Sequence, residues 1–422
     1  MSDVAQMKAW VDGKLALLGG EKVLQEEPQS MFKWPIVTEE DEKAVLDVLR
    51  AGAMSGTGIT QQFEKEYAAW MGVKYALGVC NGTAALLEAF FAVGVDQGDE
   101  VICPSMTYWA SITPAVATLK ATAVFADIDP DTLCLDPKDL ERHITPKTKA
   151  IVVVHYAGYP ADMDEIMAIA RKHNVKVIED VSHAHGTLYK GRLTGTIGDI
   201  AAESMMSGKS FATGEAGMVL TNDRNLFERC VAYGHYERNV SSHYAKPSEV
   251  LAPELEKYAG VPLGGAKHRL NQTCSAMGRV QLKYYPQRIA EIQKAMNYFW
   301  DGLEGVPGIR AHRPAKDSGS TMGGWYAAKG LYRAEELGGL DIERFCEAVR
   351  AEGVACCTSG ANNPLHLHPF FAEKRAPENL PVSAAIKKIA FTVPWFKHFV
   401  PEIIDKYIAA YKKVALHYKD LL

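Results

Sequence analysis

The feature that most constrains the fold of this chain is a series of short apolar runs that alternate with helical stretches from residue 75 onward. Most of the runs are continuously apolar, as expected for strands that are covered by helices on both faces. The helical stretches are long enough for the crossovers that parallel strands need. We therefore predict an α/β fold with a mostly parallel sheet, with strands at 75–79, 100–103, 121–126, 150–156 and 175–178 and helices at 83–93 and 163–173.

The length of 422 residues exceeds the usual size of one domain. The pattern changes after about residue 281, where helical segments at 287–303, 342–351 and 401–418 are separated by loops, including a hinge or surface loop at 317–324. We predict an N-terminal arm at 1–30, a large domain at 31–285 and a smaller C-terminal α+β domain at 286–422. The arm is a candidate to pack on a partner subunit, and we expect the active site between the domains.

One helix before the sheet has clear end signals. Thr38 and Asp41 have the spacing of a capping box, and Gly52 can end the helix. Val45, Leu46 and Leu49 make an apolar stripe along it.

The charge distribution excludes several classes of partner. The net charge is −5 and no run of five like charges occurs, so nucleic acid and anionic membranes are poor candidates. The apolar runs are too short to span a bilayer, and no basic segment followed by an apolar run stands near residue 1. We expect a cytoplasmic protein that acts on small molecules.

The eight cysteines are scattered, and no two have the spacing of a metal-binding knuckle. We interpret them as reduced thiols that fill the core. No disulfide, structural zinc or other metal site is predicted.

Two segments at predicted strand ends could bind a ligand. Asn81, Gly82 and Thr83 lie between a strand and an apolar helix, where backbone N–H groups can bind an anion, although an ordinary capped helix would look the same. Asp180 follows the strand at 175–178, at the sheet edge where α/β proteins bind ligands. A cap or a structural ion pair would also explain Asp180, and a loop or core role is as plausible as a site role for His183 and for His185.

Lys209 lies in an apolar, glycine-containing turn between predicted strands at 200–206 and 217–221. Burial there would lower its pKa and free the amine to attack a carbonyl, whereas most lysines are solvated surface charges. The sequence Gly208-Lys209-Ser210 also ends like a P-loop. Glu203 replaces the first glycine of that motif and no long helix follows, so a nucleotide hydrolase is disfavoured.

Lys267 belongs to a basic cluster at 267–269 that follows two glycines. These cations could neutralise a phosphate or a carboxylate, or they could be solvated surface charges.

Taken together, the order and spacing of these segments resemble the DegT/DnrJ/StrS family of aminotransferases. The strong motifs span about residues 33–282: Phe63-Glu64, Asn81-Gly82-Thr83-Ala84-Ala85-Leu86, Asp99 to Ala110, Glu179-Asp180 through Gly186, Thr213 to Gly217, and Gly265 to Leu282. That family consists of pyridoxal phosphate (PLP) enzymes of fold type I, which aminate keto sugars and keto cyclitols. The resemblance implies the same fold and cofactor here, and a homodimer with shared active sites.

The resemblance also implies a role for each candidate residue. Lys209 would hold PLP as a Schiff base and act as the proton-transferring base, and Asp180 would pair with the pyridine nitrogen. The ring hydroxyl would lie beside His183. Tyr108 would stack on the ring, with its neighbour Trp109 as the less favoured candidate. The cofactor phosphate would be bound by Gly82, Thr83, Ser204 and Lys267, the last of which replaces a family asparagine that reaches the phosphate from the partner subunit.

By the same resemblance, glutamate or glutamine is the expected amino donor, and the kinetics should be ping-pong. One alternative is a sugar dehydratase of this family, but those enzymes carry histidine where this chain has Lys209. A non-catalytic PLP-binding regulatory protein is another. The loops 323–327 and 235–243 are expected to face the substrate, and no role is assigned to Trp325 or Arg238 within them.

Overall fold

The computed structural model describes residues 4–235, 255, 261–373 and 379–422. The strands are β1 Tyr75–Val79, β2 Glu100–Pro104, β3 Thr122–Ala126, β4 Thr148–Val154, β5 Lys176–Asp180, β6 Leu188–Tyr189, β7 Arg192–Leu193, β8 Ile200–Ser204, β9 Gly217–Thr221, β10 Ile309–Ala311, β11 Lys329–Tyr332 and β12 Ala390–Thr392. The helices are α1 Val4–Asp12, α2 Glu39–Arg50, α3 Gly58–Met71, α4 Gly82–Ala92, α5 Thr113–Ala117, α6 Pro137–Leu140, α7 Met163–His173, α8 Arg224–Gly234, α9 Gln272–Gly302, α10 Ile342–Ala351, α11 Pro369–Ala372, α12 Pro381–Ala384, α13 Ile386–Ile389 and α14 Pro401–Leu416.

A seven-stranded sheet forms the centre of the molecule, in the order β1-β9-β8-β5-β4-β2-β3. Only β9 runs against the other strands, because it pairs antiparallel with both β1 and β8. The predicted mostly parallel sheet is confirmed, and every predicted strand lies within two residues of an observed one. Since β2, β4, β5 and β8 are parallel neighbours, their carboxyl ends meet at one edge.

The C-terminal part has its own antiparallel sheet, β10-β11-β12, and a core that it shares with α10 and α14. The predicted α+β character is therefore confirmed. The two-stranded hairpin β6-β7 stands apart from both sheets.

The described part of the N-terminal segment, residues 4–30, packs within its own chain. Leu15 and Leu24 are buried in the C-terminal core, and the backbone N–H of Leu24 donates to the carbonyl of Glu352 at 2.9 Å. The Glu352 carboxylate accepts from the N–H of Ala16 at 2.8 Å and from Lys413 Nζ at 2.9 Å. The structure thus provides an intramolecular partner for the segment that was a candidate to pack on a partner subunit.

Helix α9 contributes to two cores. Its earlier residues Tyr285 and Ile289 pack with α3, whereas Ile292 and Met296 pack in the C-terminal core. The predicted boundary after residue 285 falls inside this helix. The division of the chain into three domains stays a prediction.

Helix α2 has the predicted capping box: Asp41 Oδ2 accepts from the backbone N–H of Thr38 at 2.8 Å. Of its apolar stripe, Leu46 and Leu49 are exposed, and the buried residues of the helix are Asp41 and Val48. Asp41 faces α9, where its Oδ1 accepts from Gln281 Nε2 at 2.8 Å. A polar contact with α9 therefore orients this helix.

No described helix combines the length and the apolar character that crossing a membrane requires. All eight cysteines are free thiols.

Candidate active site

The carboxylate of Asp180 lies at the carboxyl edge of the parallel sheet, where β5 ends between β4 and β8. It is only 4% exposed. Ser111 Oγ donates to Asp180 Oδ2 at 2.7 Å, and the backbone N–H of Ser182 donates to Oδ1 at 3.1 Å. Because a buried carboxylate is costly without such donors, these bonds hold Asp180 in one orientation toward the neighbouring cavity.

Lys209 approaches the same cavity from the turn after β8. The turn is held by its backbone: the N–H of Lys209 donates to the carbonyl of Met206 at 2.8 Å, and Trp34 Nε1 donates to the Lys209 carbonyl at 2.8 Å. Lys209 Nζ lies 4.3 Å from the centre of the Tyr326 ring. Within the described part of the chain it has no hydrogen-bond acceptor and no salt-bridge partner.

Burial lowers the pKa of Lys209 from 10.5 to about 8, against a smaller opposing effect of the Asp180 charge. An amine near neutrality is a nucleophile, whereas a fully protonated ammonium is not. The structure therefore places a reactive amine at this position in the cavity.

Gly82 begins α4 in very close contact with the end of β8. A Cβ atom on Gly82 would lie 2.5 Å from the Cβ of Ser204, so only glycine fits without a shift of the backbone. Asn81 Oδ1 caps the helix by accepting from the N–H of Ala84 at 2.8 Å. The N–H groups of Gly82 and Thr83 stand at a helix start and have no acceptor within the helix, which is the arrangement that binds phosphates.

His183 is buried at the side of the cavity. The N–H of Ala157 donates to its Nδ1 at 3.4 Å, so Nε2 is the ring nitrogen left to carry a proton. Its ring lies between those of Tyr156 and Tyr326, at centroid distances of 5.5 and 4.8 Å. Burial, and then the Lys209 charge, keep the pKa of His183 well below its ordinary value, so the ring is neutral.

These groups surround one cavity of about 380 Å³. Its lining includes the predicted residues Gly82, Thr83, Tyr108, Trp109, Asp180, His183, Ser204 and Lys209. Tyr108 and Trp109 are both half-exposed, with ring centres 5.2 Å apart, so the geometry does not choose between them.

Lys267 is the predicted residue that the structure does not bring to this cavity. Its side chain is exposed on its own chain and is absent from the lining. Of the loops expected to face the substrate, 323–327 supplies Tyr326 and Ala327 to the lining, and Trp325 is buried in the C-terminal core. Residues 236–243, with Arg238, lie outside the described residues.

Three residues that line the cavity were not named individually in the sequence analysis. Ser111 follows directly after the segment Pro104 to Ala110 that we compared with the family. Tyr326 projects from the loop between Trp325 and Ala327, both of which have left-handed φ angles, of 55° and 56°. Asn362 comes from the C-terminal part, about 150 residues beyond Lys209. Ser111 adjoins a segment that we compared with the family, and Tyr326 lies in a loop that we expected to face the substrate, whereas Asn362 had no local signal.

Asn362 stands where this cavity meets a second groove. Tyr156 donates its hydroxyl hydrogen to Asn362 Oδ1 at 2.7 Å and accepts from the Asn362 backbone N–H at 3.4 Å. The groove, of about 780 Å³, shares Thr107, Tyr108, Trp109 and Asn362 with the first cavity. Among the described residues, its lining is largely apolar and contains no carboxylate.

The residues present fit PLP. The unpaired amine of Lys209 suits an aldehyde, and the ordered carboxylate of Asp180 suits a protonated pyridine nitrogen. The glycine at position 82, where a Cβ would collide with Ser204, leaves backbone N–H groups accessible to a phosphate.

Comparison with known proteins identifies the family of this chain. The model of the DegT/DnrJ/EryC1/StrS aminotransferase family matches residues 35–412. The spore coat polysaccharide biosynthesis protein SpsC of Bacillus subtilis (strain 168) is 32% identical over 397 residues, 91% of this chain and 96% of that protein. The L-glutamine:2-deoxy-scyllo-inosose aminotransferase of Micromonospora echinospora is 34% identical over 345 residues, covering 80% and 79% of the two chains.

Among solved structures, an aminotransferase from Psychrobacter cryohalolentis superposes with a TM-score of 0.82 at 32% identity, over 92% of this chain and all of that one. The predicted family, the predicted fold, the PLP cofactor and the aminotransferase activity are confirmed. The chain belongs to the DegT/DnrJ/EryC1/StrS aminotransferase family.

Proposed function

We propose that this aminotransferase moves an amino group from glutamine or glutamate to a keto sugar or keto cyclitol, by a ping-pong mechanism at one site. The observation that carries the proposal is the buried Lys209 amine beside the ordered carboxylate of Asp180. The substrate class is supported by relatives named L-glutamine:2-deoxy-scyllo-inosose aminotransferase and GDP-perosamine synthase, which are 34% and 32% identical to this chain.

PLP, when bound, supplies an aldehyde that condenses with amines and a pyridine ring that takes up electrons from the neighbouring carbon. Asp180 holds a proton at the pyridine nitrogen, because its anionic oxygens are already oriented by Ser111 and Ser182. His183 would place its Nε2 hydrogen beside the ring hydroxyl. Tyr108, whose neighbour Trp109 also lines the cavity, would stack on the ring.

Lys209 carries the proton in both halves of the reaction. Its Nζ takes the proton from the donor carbon that bears the amine, and it delivers a proton to the corresponding carbon of the product. A group with a pKa of about 8 can accept and release a proton near neutral pH. Tyr326, over the amine at 4.3 Å, limits the access of water on that side.

The phosphate would be held by the N–H groups of Gly82 and Thr83, by Ser204 and by Lys267 of the partner subunit. The protein is therefore a homodimer with shared active sites. Two features support this assignment: Lys267 is exposed on its own chain, and it lies outside the cavity that its own Lys209 faces.

The acceptor enters through the groove that joins the cofactor cavity at Asn362. Since Tyr156 donates to Oδ1, the two N–H donors of the Asn362 amide remain for a substrate hydroxyl, and they have no acceptor among the described side chains and backbone. The apolar walls of the groove suit the portion of the acceptor that lies away from the ketone.

The experiment follows the two half-reactions separately. Glutamine and glutamate are added to the PLP-loaded enzyme without acceptor, and conversion of the bound cofactor to its amine form is followed by absorbance. The amine form is isolated and offered keto cyclitols and keto sugars, free or nucleotide-linked. Conversion followed by amination of one acceptor class is expected, and Lys209→Ala should do neither.

The outcome also separates the alternatives. Loss of a hydroxyl group from the sugar, with no transfer of nitrogen, would identify a dehydratase. Cofactor binding without conversion by any amino acid would identify a regulatory protein. Either result would overturn the proposed reaction.

A further inference from the structure

The helix that begins at the proposed phosphate site also carries a buried carboxylate. Glu88, on α4, is 0% exposed. Its Oε1 accepts a hydrogen bond from His268 Nδ1 at 2.9 Å and one from His235 Nε2 at 3.1 Å. We call Glu88, His235 and His268 the Glu88 cluster, and none of the three lines the cofactor cavity.

The cluster holds a negative charge inside the protein. Burial alone would raise the pKa of Glu88, but the charges and hydrogen bonds of His235 and His268 outweigh it and keep that pKa below its ordinary value. The nearby groups of Cys80, Cys230 and Tyr233 have raised pKa values, through burial and then through the Glu88 charge, so they stay neutral. The two imidazoles are thus the groups that compensate the carboxylate.

The residues of the Glu88 cluster are tightly packed against the backbone of Gly234. A Cβ atom on Gly234 would lie 2.7 Å from Glu88 Oε1 and 2.9 Å from the His268 ring. The N–H of His268 donates to the carbonyl of Gly234 at 3.1 Å, and the N–H of Cys80 donates to the carbonyl of His268 at 2.7 Å. Three separate segments therefore meet at one carboxylate.

The position of those segments connects the cluster to the cofactor. His235 and His268 stand on either side of residues 236–260, and Lys267 immediately precedes His268. Glu88 is six residues into the helix that begins with Gly82 and Thr83. One side chain thus joins the helix of the phosphate site to the segment that carries Lys267.

We propose that Glu88 is a positioning residue for the cofactor phosphate: through His235 and His268 it sets where Lys267 is presented. The inference rests on the proposed role of Lys267 at the partner subunit's phosphate. The imidazole–carboxylate contacts fix the backbone at position 268, and a cation one residue away loses its contact with an anion if that backbone moves by an ångström.

The test compares PLP with pyridoxal, which has the same ring and aldehyde but no phosphate. Both are titrated into the apoenzyme, and the dissociation constants are read from the absorbance of the Lys209 adduct. Glu88→Gln keeps the shape and one acceptor oxygen but removes the charge. We expect it to weaken PLP about tenfold and to change pyridoxal less than about twofold.

Glu352→Gln is the matched control. Glu352 is also fully buried and paired with a cation, Lys413 at 2.9 Å, but it lies in the C-terminal core. Its substitution should lower stability and leave the ratio of the PLP and pyridoxal dissociation constants unchanged. If Glu88→Gln weakens both ligands equally, the role of Glu88 is only structural and the proposal is wrong.

A double variant tests the route through Lys267. Lys267→Ala alone should weaken PLP and spare pyridoxal, and adding Glu88→Gln should cause little further loss, because residues that act as one unit are not additive. Full additivity would overturn the proposal. A normal ratio in Lys267→Ala would instead refute the assignment of Lys267, and this inference with it, while leaving the aminotransferase reaction untouched.

If Glu88→Gln does not fold, the partly exposed His268 allows the same comparison. His268→Asn keeps an N–H donor near the position of Nδ1 and should retain the wild-type ratio, whereas His268→Ala should lose about as much as Glu88→Gln. Equal behaviour of the two His268 variants would contradict the proposal.

Discussion

Replacement of Gly82 by alanine tests the geometry of the phosphate site most directly. The new Cβ would lie 2.5 Å from the Cβ of Ser204 and 2.9 Å from its Cα, whereas ordinary contacts begin at 3.4 Å. The start of α4 must therefore move by about 0.9 Å. A shift of that size takes its backbone N–H groups out of hydrogen-bond distance of a phosphate held by the rest of the site. Losing one such charge-assisted hydrogen bond costs about 1.5–3 kcal/mol, which weakens PLP about 10- to 150-fold.

The assay is equilibrium titration of the apoenzyme with PLP, together with thermal unfolding. Overpacking at Gly82 should also lower stability by about 1–3 kcal/mol. Gly58→Ala is the matched control, because Gly58 also begins a helix and its added Cβ would have nothing nearer than Gln272 Oε1 at 4.0 Å. Wild-type PLP affinity in Gly82→Ala, or an equal loss in Gly58→Ala, would refute the close-approach argument.

Three further outcomes are expected. With a pKa of about 8, the neutral fraction of Lys209 rises from about one tenth at pH 7 to about nine tenths at pH 9. The rate at which PLP forms a borohydride-trappable adduct with Lys209 should therefore level off above pH 9. An adduct-formation rate that still rises tenfold per pH unit there would indicate a solvated lysine. Asn362→Ala should raise the KM of the keto acceptor about 2- to 12-fold and leave conversion of the cofactor by the amino donor unchanged, and an unchanged KM would exclude this contact. Glu352→Ala strands the buried Lys413 ammonium and should cost about 3–5 kcal/mol of unfolding free energy in urea, whereas a loss below about 1 kcal/mol would mean that the pair is solvated.

Local signals in the sequence predicted the central sheet and most of its site. The continuous apolar runs located the strands because burial on both faces leaves no polar positions, and Asp180 and Lys209 were found because they follow such runs. Ser111 was not named, although it directly follows the segment Pro104 to Ala110 that we compared with the family. Tyr326 and Asn362 reach the cavity by tertiary packing from loops of the C-terminal part, which no periodicity records.

The exposure of Leu46 and Leu49 shows a different limit. Amphipathic spacing indicates that a helix has an apolar face, but a polar contact can orient the helix instead, as the bond between Asp41 and Gln281 does here. The position of Lys267 was beyond reach for another reason, since its proposed target belongs to a second chain.

The uninterrupted helix Gln272–Gly302 determines how this molecule can be divided. Its two halves pack in different apolar cores, so cutting the chain after Tyr285 would leave Ile289 of the first core on the C-terminal fragment. The same cut would leave Leu15 and Leu24, which belong to the C-terminal core, on the N-terminal fragment. Each fragment would therefore lack residues of its own core. Because this one helix belongs to both cores, we do not expect either half of the chain to fold when it is expressed alone.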